Sequence, residues 1–543
     1  MNDEIRRPLA VLPSTKYQAL NTPSTPCPRD NVYFPMTPDQ LAGALQEFLT
    51  ASRHGMMLEE NEVIFDLESA RYSISAERGR CLLHVWSVER NVVREVVDIQ
   101  SQKDALQLSV RKFGQAKPHK LLVCRERDQR SPAARKTART RYARAIEKAV
   151  QQQFPGWVTS KLATSMDLKR SFSPVYARGL LRHGNSAQAV LGVNHEETQA
   201  AVDAALTFGL LWLEDCRQRA AGRMTIEGLR VYAPAGRSAT LQLRMAHLNH
   251  QRARFELCEF DETTNAVTEI NIEAATELES RLSPLPDSAQ AQRDFADAIA
   301  RIRALAPQAE LAILSPGEIS FRLHGLEFAR ARVPANSKPT LPEIIFGLSG
   351  FEALLTPETD AAFQRFVTEI AEGRRAQANH RDRLWRIYPE RWLESSIVKD
   401  IAVIYSHLQH THVYSQVPAF SASDRSLIDV LTCTRAGRLA VLELKADEDI
   451  HLPLQGLDYW ARVQRRHARG DFQKNGYFSG VHLSPDPPLL FLVAPALRVH
   501  PAVETILSYL SPDIEWRLAG LDERWREGIH VVFRKATGKA AIE

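Results

Sequence analysis

Short apolar runs separated by polar turns recur along most of this 543-residue chain, and one pair of them near its C-terminal end is the most informative. The first run contains Ile428-Asp429-Val430, and the second ends in Glu443-Leu444-Lys445. The turn between them contains Gly437, and two strands joined by a glycine-containing turn are typical of a hairpin. Such a hairpin would bring Asp429 and Glu443 together at one end of a sheet, with Lys445 on the same face as Glu443.

Changes in periodicity and composition divide the chain into five parts. They are a proline-rich mobile tail at residues 1–35, a β-rich module at 36–125 that would bind substrate, an α/β domain at 126–283, a linker with a small α+β module at 284–380, and an α/β domain at 381–543 that carries the hairpin. The predicted fold class is therefore multidomain α/β (α+β).

The middle α/β domain has nearly the same order of elements as the last one. The segments Leu229–Pro234 and Leu490–Pro495 both end in Ala-Pro, and each precedes a helix and a strand that ends in acidic residues. The middle domain is therefore predicted to be an internal duplicate of the last one, with chance similarity of two α/β units as the alternative. In it the places of the two carboxylates and the lysine fall near residues 177–179 and 189–193, which contain neither residue type, so the duplicate is predicted to be inactive.

Composition sets limits on compartment and partners. The net charge is only +4, so any nucleic-acid surface must come from local clustering. Six scattered cysteines form no CxxC pair, which favours a reducing, cytoplasmic setting. The chain contains no run of about 18 apolar residues and no evident signal peptide, so no membrane partner is expected.

The hairpin residues suit metal-assisted hydrolysis. Two converging carboxylates bind a hard divalent cation, and an ammonium beside them helps to activate water or to stabilise developing charge. No phosphate-binding GxxxxGK[ST] loop, G-x-S-x-G elbow or H-E-x-x-H motif accompanies them, which disfavours ATP-driven, serine-hydrolase and zinc-protease chemistry.

These residues resemble the PD-(D/E)XK nucleases, the restriction-endonuclease-like superfamily. The matching pattern is Asp429, thirteen residues, then Glu443-Leu444-Lys445, with Glu394 on a preceding helix and Gln455 on a following one. The resemblance covers the last 150 residues or so and implies an αβββαβ core at 381–543, of which the middle domain would hold a degenerate copy.

The resemblance also implies roles for individual residues. Asp429 and Glu443 would bind Mg²⁺ or Mn²⁺ together with the backbone carbonyl of Leu444, and Glu394 would complete the metal shell or hold a second ion. Lys445 would orient and help deprotonate the attacking water, a task helped by a lowered pKa, or would stabilise charge on the phosphate. Gln455 would position the lysine or the phosphate.

Nucleic-acid contacts are predicted from basic and aromatic residues. The candidates are Lys112, Arg135, Lys136 and Arg139 in basic stretches, and Tyr459 one turn after Gln455. A solvated helix face is the alternative for the basic stretch, and core packing is the favoured alternative for Tyr459.

The predicted function is a Mg²⁺-dependent nuclease, with an endonuclease favoured and DNA preferred to RNA as the substrate. One alternative is a nucleic-acid-binding or scaffold protein that uses the nuclease-like domain for recognition. Another is a different hydrolase, acting on sugars or nucleotides, on the same sheet. The sequence leaves specificity, pathway and oligomeric state open, a homodimer included.

Overall fold

The computed structural model describes most of the chain after residue 36. The described residues are 37–52, 55–59, 62–67, 70–77, 79–87, 91–101, 105–112, 118–124, 132–167, 170–274, 282–333, 342–348, 352–418 and 427–537. The predicted tail at residues 1–35 lies outside them. Within them the protein is a mixed α/β structure with several β-sheets. No helix in these residues is long and apolar enough to cross a membrane.

The N-terminal module is an antiparallel sheet with a helix on one face. Its elements are α1 (Pro38–Ala51), β1 (Met56–Glu59), β2 (Glu62–Asp66), β3 (Arg71–Glu77), β4 (Arg80–Trp86), β5 (Asn91–Ser101), β6 (Ala105–Arg111) and β7 (His119–Cys124), in the sheet order β2-β1-β7-β6-β5-β4-β3. The β-rich module predicted from residue 36 begins with a helix, α1, that the prediction did not include. Leu41, Leu45 and Phe48 recur at helical spacing and pack on the sheet, and Thr37 forms a capping box with Gln40.

A second sheet lies in the middle of the chain. Its elements are α2 (Pro132–Gln153), β8 (Val158–Thr159), β9 (Tyr176–His183), β10 (Ser186–Val193), α3 (Gln199–Asp203), α4 (Ala205–Ala220), β11 (Thr225–Pro234), α5 (Ala239–Met245), β12 (Arg254–Asp261) and β13 (Ala266–Ile270). The strands lie in chain order. The β10–β11 and β11–β12 pairs are parallel, and the others are antiparallel.

A smaller antiparallel sheet follows and supports the next helix along the chain. Its elements are α6 (Ser288–Asp294), α7 (Ala296–Leu305), β14 (Glu310–Ser315), β15 (Glu318–Leu323), β16 (Leu326–Arg332), β17 (Glu343–Phe346), β18 (Ala353–Leu354), α8 (Asp360–Gly373) and α9 (Arg383–Arg386). Glu310 accepts a hydrogen bond from Ser395 and pairs with Lys399 at 2.7 Å. These contacts fix the helix that carries Glu394 against the sheet.

The last sheet has the same plan as the middle one. Its elements are α10 (Pro389–Lys399), β19 (Tyr414–Pro418), β20 (Leu427–Cys433), β21 (Leu439–Leu444), α11 (Leu452–Ala468), α12 (Asp471–Lys474), β22 (Leu489–Pro495), α13 (Val503–Leu507), β23 (Trp516–Leu521) and β24 (Val531–Ala536). The strands again lie in chain order, with β21–β22 and β22–β23 parallel and the outer pairs antiparallel. In both sheets the five successive strand pairs are therefore antiparallel, antiparallel, parallel, parallel and antiparallel.

The middle and last sheets share one apolar core. Helices α4 and α5 from the middle sheet pack against α11 and α13 from the last one, and this helix layer is hereafter called the seam. Its buried residues come from both sides, Leu206 and Leu210 from α4 and Leu457 and Ile506 from α11 and α13. Within the seam, Arg244 donates to both carboxylate oxygens of Asp458 at 3.0 and 2.7 Å.

Removal of the Arg244 guanidinium should destabilise the seam, because it leaves the buried Asp458 carboxylate without its cation. We expect Arg244→Ala to lower the free energy of unfolding by about 3 kcal/mol. The double variant Arg244→Leu/Asp458→Leu should lose less free energy of unfolding than the sum of the losses in the two single variants, because it leaves no unpaired charge. Urea unfolding followed by fluorescence and circular dichroism measures both effects.

The matched control is Arg141→Ala, which breaks an exposed pair with Glu196. Its effect should stay below about 1 kcal/mol. An Arg244→Ala loss no larger than that of the control would show that the buried pair does not hold the seam.

Candidate active site at the end of the C-terminal sheet

Strands β20 and β21 bring the predicted carboxylates together. Val430 pairs with Leu442, so the antiparallel register places Asp429 opposite Glu443, and the Leu444 N–H donates to Asp429 Oδ2 at 2.9 Å. Strand β21 is buried along its whole length because α10 covers one face of the sheet and α11 the other. The hairpin turn has the φ of +82° at Gly437 that only glycine adopts readily.

Lys445 lies at the centre of this group. Its Nζ is 3.1 Å from Glu443 Oε1, 3.9 Å from Asp449 Oδ2 and 4.0 Å from Glu390 Oε1. Glu443 and Lys445 are only 2% and 6% exposed. A buried ammonium thus neutralises part of a group of buried and half-buried carboxylates.

Burial controls the protonation of these carboxylates. It raises the pKa of Glu443 well above its ordinary value, and it raises the pKa of Asp429 and Glu390 as well, with Lys445 acting in the opposite direction on all three. Burial therefore favours the protonated form of these carboxyls, and the Lys445 ammonium favours their ionised form.

The pKa of Lys445 departs from the expectation for a water-deprotonating base. Burial alone would lower it, but the negative charges of Glu443, Glu390 and Asp429 outweigh burial and raise it above its ordinary value. In this charge state Lys445 is an ammonium that donates hydrogen bonds and cannot accept a proton. The lowered pKa that would help a water-deprotonating lysine is therefore not found at Lys445. The sequence alone does not reveal how many carboxylates surround this lysine.

Glu394 lies beside the pair, on α10. Its Oε2 accepts from Arg391 Nη1 at 3.2 Å and from Gln416 Nε2 at 2.5 Å. Burial raises the pKa of this carboxyl to about 8. Gln416 stands between the two residues of β19 that pair with β20 on either side of Asp429, and its φ is +58°. The strained backbone at Gln416 thus turns an amide toward the acidic group.

Gln455 and Glu443 each present an unpartnered oxygen. Among the described residues, Glu443 Oε2 and Gln455 Oε1 are buried and have no hydrogen-bond partner. Gly456 allows α11 to approach β21 closely, since a Cβ there would lie 3.6 Å from the Cβ of Glu443 and 2.6 Å from Leu492. A buried oxygen without a donor is costly, so these two indicate a place where a ligand or water belongs.

Tyr459 packs in the core, and its hydroxyl lies near the carboxylates of the site. It is partly buried and packs against the cluster that includes Val441 and Val463. Burial raises the pKa of its hydroxyl, and the charges of Glu443 and Asp429 raise it further. Core packing therefore holds Tyr459 with its hydroxyl in the field of the carboxylates.

Sequence reasoning missed four residues of this group: Glu390, Arg391, Gln416 and Asp449. The signal for Glu390 was its position four residues before Glu394, which places both on one helix face. Asp449 follows Asp447 and Glu448 in an acidic run, a pattern typical of a solvated loop. Those two are exposed, but Asp449 lies near Lys445 and accepts from the His451 N–H at 2.7 Å.

The predicted three-carboxylate metal shell is not assembled. Among the described residues, no group of three or more His, Cys, Asp or Glu side chains is arranged to hold a metal ion. Glu394 is instead engaged by Arg391 and Gln416. Asp429 and Glu443 remain the carboxylates that face each other across the hairpin.

The predicted nucleic-acid contacts lie on other parts of the structure. Lys136 is exposed on α2, whereas Arg139 on the same helix pairs with Glu197 at 2.8 Å. Lys112 lies 3.9 Å from Glu59, a carboxylate that also pairs with Arg94 and His119. The side chain of Arg135 lies outside the described part of the chain. Arg139 and Lys112 therefore have partners within the protein.

Comparisons of the chain with protein-family models, with curated proteins and with solved structures each find no match. The function must therefore be argued from the site alone.

The raised pKa of Glu394 predicts a pH-dependent stability. The folded state holds this proton more tightly than the unfolded state, so the stability that Glu394 contributes is complete below pH 4.5 and is lost as the pH rises toward about 8. Glu394→Gln removes this titration. Without divalent cations, the unfolding free energy of the variant relative to the wild type should rise by on the order of 3 kcal/mol between about pH 5 and about pH 8.5.

Urea unfolding at the two pH values measures the change, and Glu227→Gln is the control. Glu227 is an exposed carboxylate on β11, and its variant should follow the wild type at both pH values. A Glu394→Gln difference that does not change with pH would show that the carboxyl ionises normally in the folded protein.

Proposed function

We propose that the protein is a metal-dependent nuclease of the PD-(D/E)XK type that hydrolyses phosphodiester bonds of DNA, with its chemistry confined to residues 381–543. The observation that carries this proposal is the buried pair of Glu443 and Lys445 opposite Asp429, with Glu443 Oε2 left without a partner. A protein does not bury opposed carboxylates with an unsatisfied oxygen for stability alone.

The order of elements supports the same proposal. A helix, three strands, a helix and a further strand occur in the order α10, β19, β20, β21, α11 and β22, with the short helix α12 between α11 and β22, and β21 and β22 are parallel. That order is the αβββαβ arrangement implied by the resemblance. The carboxylates stand on the second and third of these strands, β20 and β21.

The donor set fits a hard divalent cation. Mg²⁺ keeps several waters and takes one or two carboxylates, so Asp429, Glu443 and the Leu444 carbonyl suffice to hold Mg²⁺ or Mn²⁺ without a third acidic ligand. The unpartnered Glu443 Oε2 would serve such an ion as a ligand atom. Such an ion would acidify a bound water and offset charge on the phosphate.

The side chains around that position divide the remaining tasks. Lys445, as an ammonium, orients the attacking water and stabilises negative charge on the phosphate. Gln455 offers its buried Oε1 to the water and its amide to substrate. Glu394 holds Arg391 and Gln416 in place, and the Arg391 side chain, 40% exposed, can reach a phosphate.

DNA is the proposed substrate in preference to RNA, with exposed basic residues such as Lys136 contributing phosphate contacts. Tyr459 supports the carboxylates from the core side and touches substrate only through its hydroxyl end. Endonucleolytic cleavage is proposed in preference to exonucleolytic cleavage.

Two observations favour a second candidate function. The described residues contain no three-ligand metal group, and Lys445 carries a raised pKa. A nucleic-acid-binding or scaffold protein that retains the nuclease-like sheet for recognition would tolerate both. Cleavage assays separate the two functions directly.

Cleavage of DNA should require the hairpin residues. The assay incubates the protein with linear, supercoiled or single-stranded DNA and with Mg²⁺ or Mn²⁺. We expect the cleavage activity to disappear when EDTA is added. Asp429→Asn and Lys445→Met should each lower the cleavage rate by about 100-fold or more, because they remove a ligand or a charge-stabilising donor. Gel electrophoresis of the products measures the rates.

The control for both variants is Glu515→Gln. Glu515 is a carboxylate next to β23 at the opposite end of the same sheet, where it pairs with Arg438 at 2.6 Å. This variant should cut as the wild type does. Equal cleavage by Asp429→Asn would contradict the site, and binding without cleavage by the wild type under every condition would favour the scaffold function.

Metal binding can be tested without any substrate. Millimolar Mg²⁺ or Mn²⁺ should raise the Tm of the wild type, because a ligand that binds only the folded state stabilises it. The rise should be larger at pH 8 than at pH 5, since protons compete for Asp429 and Glu443 at low pH. Differential scanning fluorimetry should show little rise for Asp429→Asn, and an equal rise in that variant would place the metal elsewhere.

A further inference from the structure

The two sheets of the seam are related as the halves of a dimer would be. In the middle unit α4 lies between β10 and β11, and α5 lies between β11 and β12; in the last unit α11 lies between β21 and β22, and α13 lies between β22 and β23. Across the seam, α4 packs against α13 and α11 packs against α5. The backbone contacts are reciprocal: the Asn249 N–H donates to the Tyr509 carbonyl at 2.8 Å, and the Ser511 N–H donates to the His247 carbonyl at 2.9 Å. Between them, Leu248 bridges Leu510. Reciprocal contacts of this kind define an isologous, two-fold interface.

The strand registers assign equivalent positions in the two units. The Ala-Pro pairs at the ends of β11 and β22 align, so Val231 corresponds to Leu492. Leu492 pairs with Glu443, whereas Val231 pairs with Leu191. Leu191 therefore occupies the position of Glu443, and two residues on, Val193 occupies that of Lys445.

Two further positions follow by the same reasoning. Leu191 pairs with Arg178 on β9, so Arg178 stands where Asp429 stands in the last sheet. Gly209 approaches Leu229 as Gly456 approaches the equivalent Leu490, so Phe208 corresponds to Gln455. The middle unit thus lacks both carboxylates, the lysine and the glutamine.

The vacated centre is filled by a self-contained structure. The buried guanidinium of Arg178 donates to the carbonyls of Ser173 and Ser165 at 2.7 and 2.6 Å, and lies 4.7 Å from the ring centre of Phe172. Phe208 stacks on Tyr176 at 4.8 Å. A fixed cation and three aromatic rings stand where a metal site would need carboxylates and water.

The complete and the filled centre lie on the same side of the seam. The N-termini of α4 and α11 meet there, with Thr207 Oγ1 3.0 Å from His451 Nδ1 and Phe208 5.6 Å from the His451 ring. Ser171, next to Phe172, lies 3.5 Å from His500, which is 3.8 Å from Glu448 just after Lys445. A duplex lying across the seam would present one strand to each centre.

We propose that the chain is an internal pseudo-dimer that acts as a monomer and cuts only one strand of a duplex per binding event. This inference rests on the proposed nuclease function. At the complete centre one water oxygen bonds to phosphorus, one bridging P–O bond breaks, and the leaving oxygen takes a proton, which yields a single nick. The middle unit occupies the place of a second subunit and, because it lacks the site residues, leaves the other strand uncut.

The test combines solution mass with cleavage of supercoiled plasmid at low enzyme concentration. Multi-angle light scattering should give the mass of one chain, with and without a non-cleaved duplex in Ca²⁺. Most of the plasmid should pass through the open circle before linear DNA appears, at a rate first order in enzyme. Asp429→Asn protein, purified in parallel, controls for contaminating nicking activity.

The outcomes separate the two proposals. Linear product formed without an accumulating open circle, or a rate second order in enzyme, overturns the single-strand inference while leaving the nuclease function intact. If nothing is cut, the nuclease function fails, and the mass decides the rest: one chain upholds the pseudo-dimer, whereas two chains held through the helix layer overturn it. Leu248→Arg, which places a charge at the centre of the seam, should weaken stability in a protein that remains a single chain.

Discussion

The helix layer shared by the middle and last sheets is the constraint on which the other parts depend. Each sheet has one face whose helices would expose apolar side chains if the sheet stood alone, and the seam buries both faces at once. The buried Arg244–Asp458 pair fixes the angle at which they meet, because a bidentate guanidinium–carboxylate contact tolerates little sliding. The position of α11, and with it Gln455 beside Glu443, therefore depends on packing from a different part of the chain.

A second constraint comes from the charges at the end of β21. Carboxylates from α10, β20, β21 and the loop before α11 converge on one buried ammonium, and burial raises the pKa of Asp429 and Glu443. Such a group is unfavourable in isolation, since desolvation of charge exceeds what one ion pair returns. The small sheet β14–β18 holds α10 in place through Glu310. The scaffold around the centre thus compensates for a site that does not stabilise itself.

Much of this arrangement could be predicted from the sequence, because it is written in local patterns. The alternation around Asp429, the apolar run before Glu443 and the glycine at 437 fix a hairpin with one register, and a one-residue slip would expose its buried face. The sequence signal for α1 is equally local, because Leu41, Leu45 and Phe48 recur at helical spacing. It was missed because strand-like segments make up most of the sequence that follows. The shared plan of the middle and last sheets was visible in the Ala-Pro pairs that end β11 and β22.

The rest depends on contacts between distant segments, to which a local pattern gives no access. Gln416 reaches Glu394 only because its backbone has a positive φ. The pKa of Lys445 follows from carboxylates on three separate elements, so its direction could not be read from the spacing Glu443-Leu444-Lys445. The sequence pattern shows Arg178 only as a residue of a strand. Its position opposite Leu191 follows from the strand register in the structure.

The contrast between Arg178 and Asp429 has a physical explanation. An acidic centre costs stability because its carboxylates are buried with incomplete partners, so a sheet of the same plan is more stable without one. Replacement of Glu443 and Lys445 by apolar residues at the equivalent Leu191 and Val193 removes the charges and keeps the strand buried. The guanidinium of Arg178 then satisfies main-chain carbonyls that would otherwise be exposed to an apolar interior. The middle sheet can therefore keep the fold, and the seam that positions α11, without keeping the site.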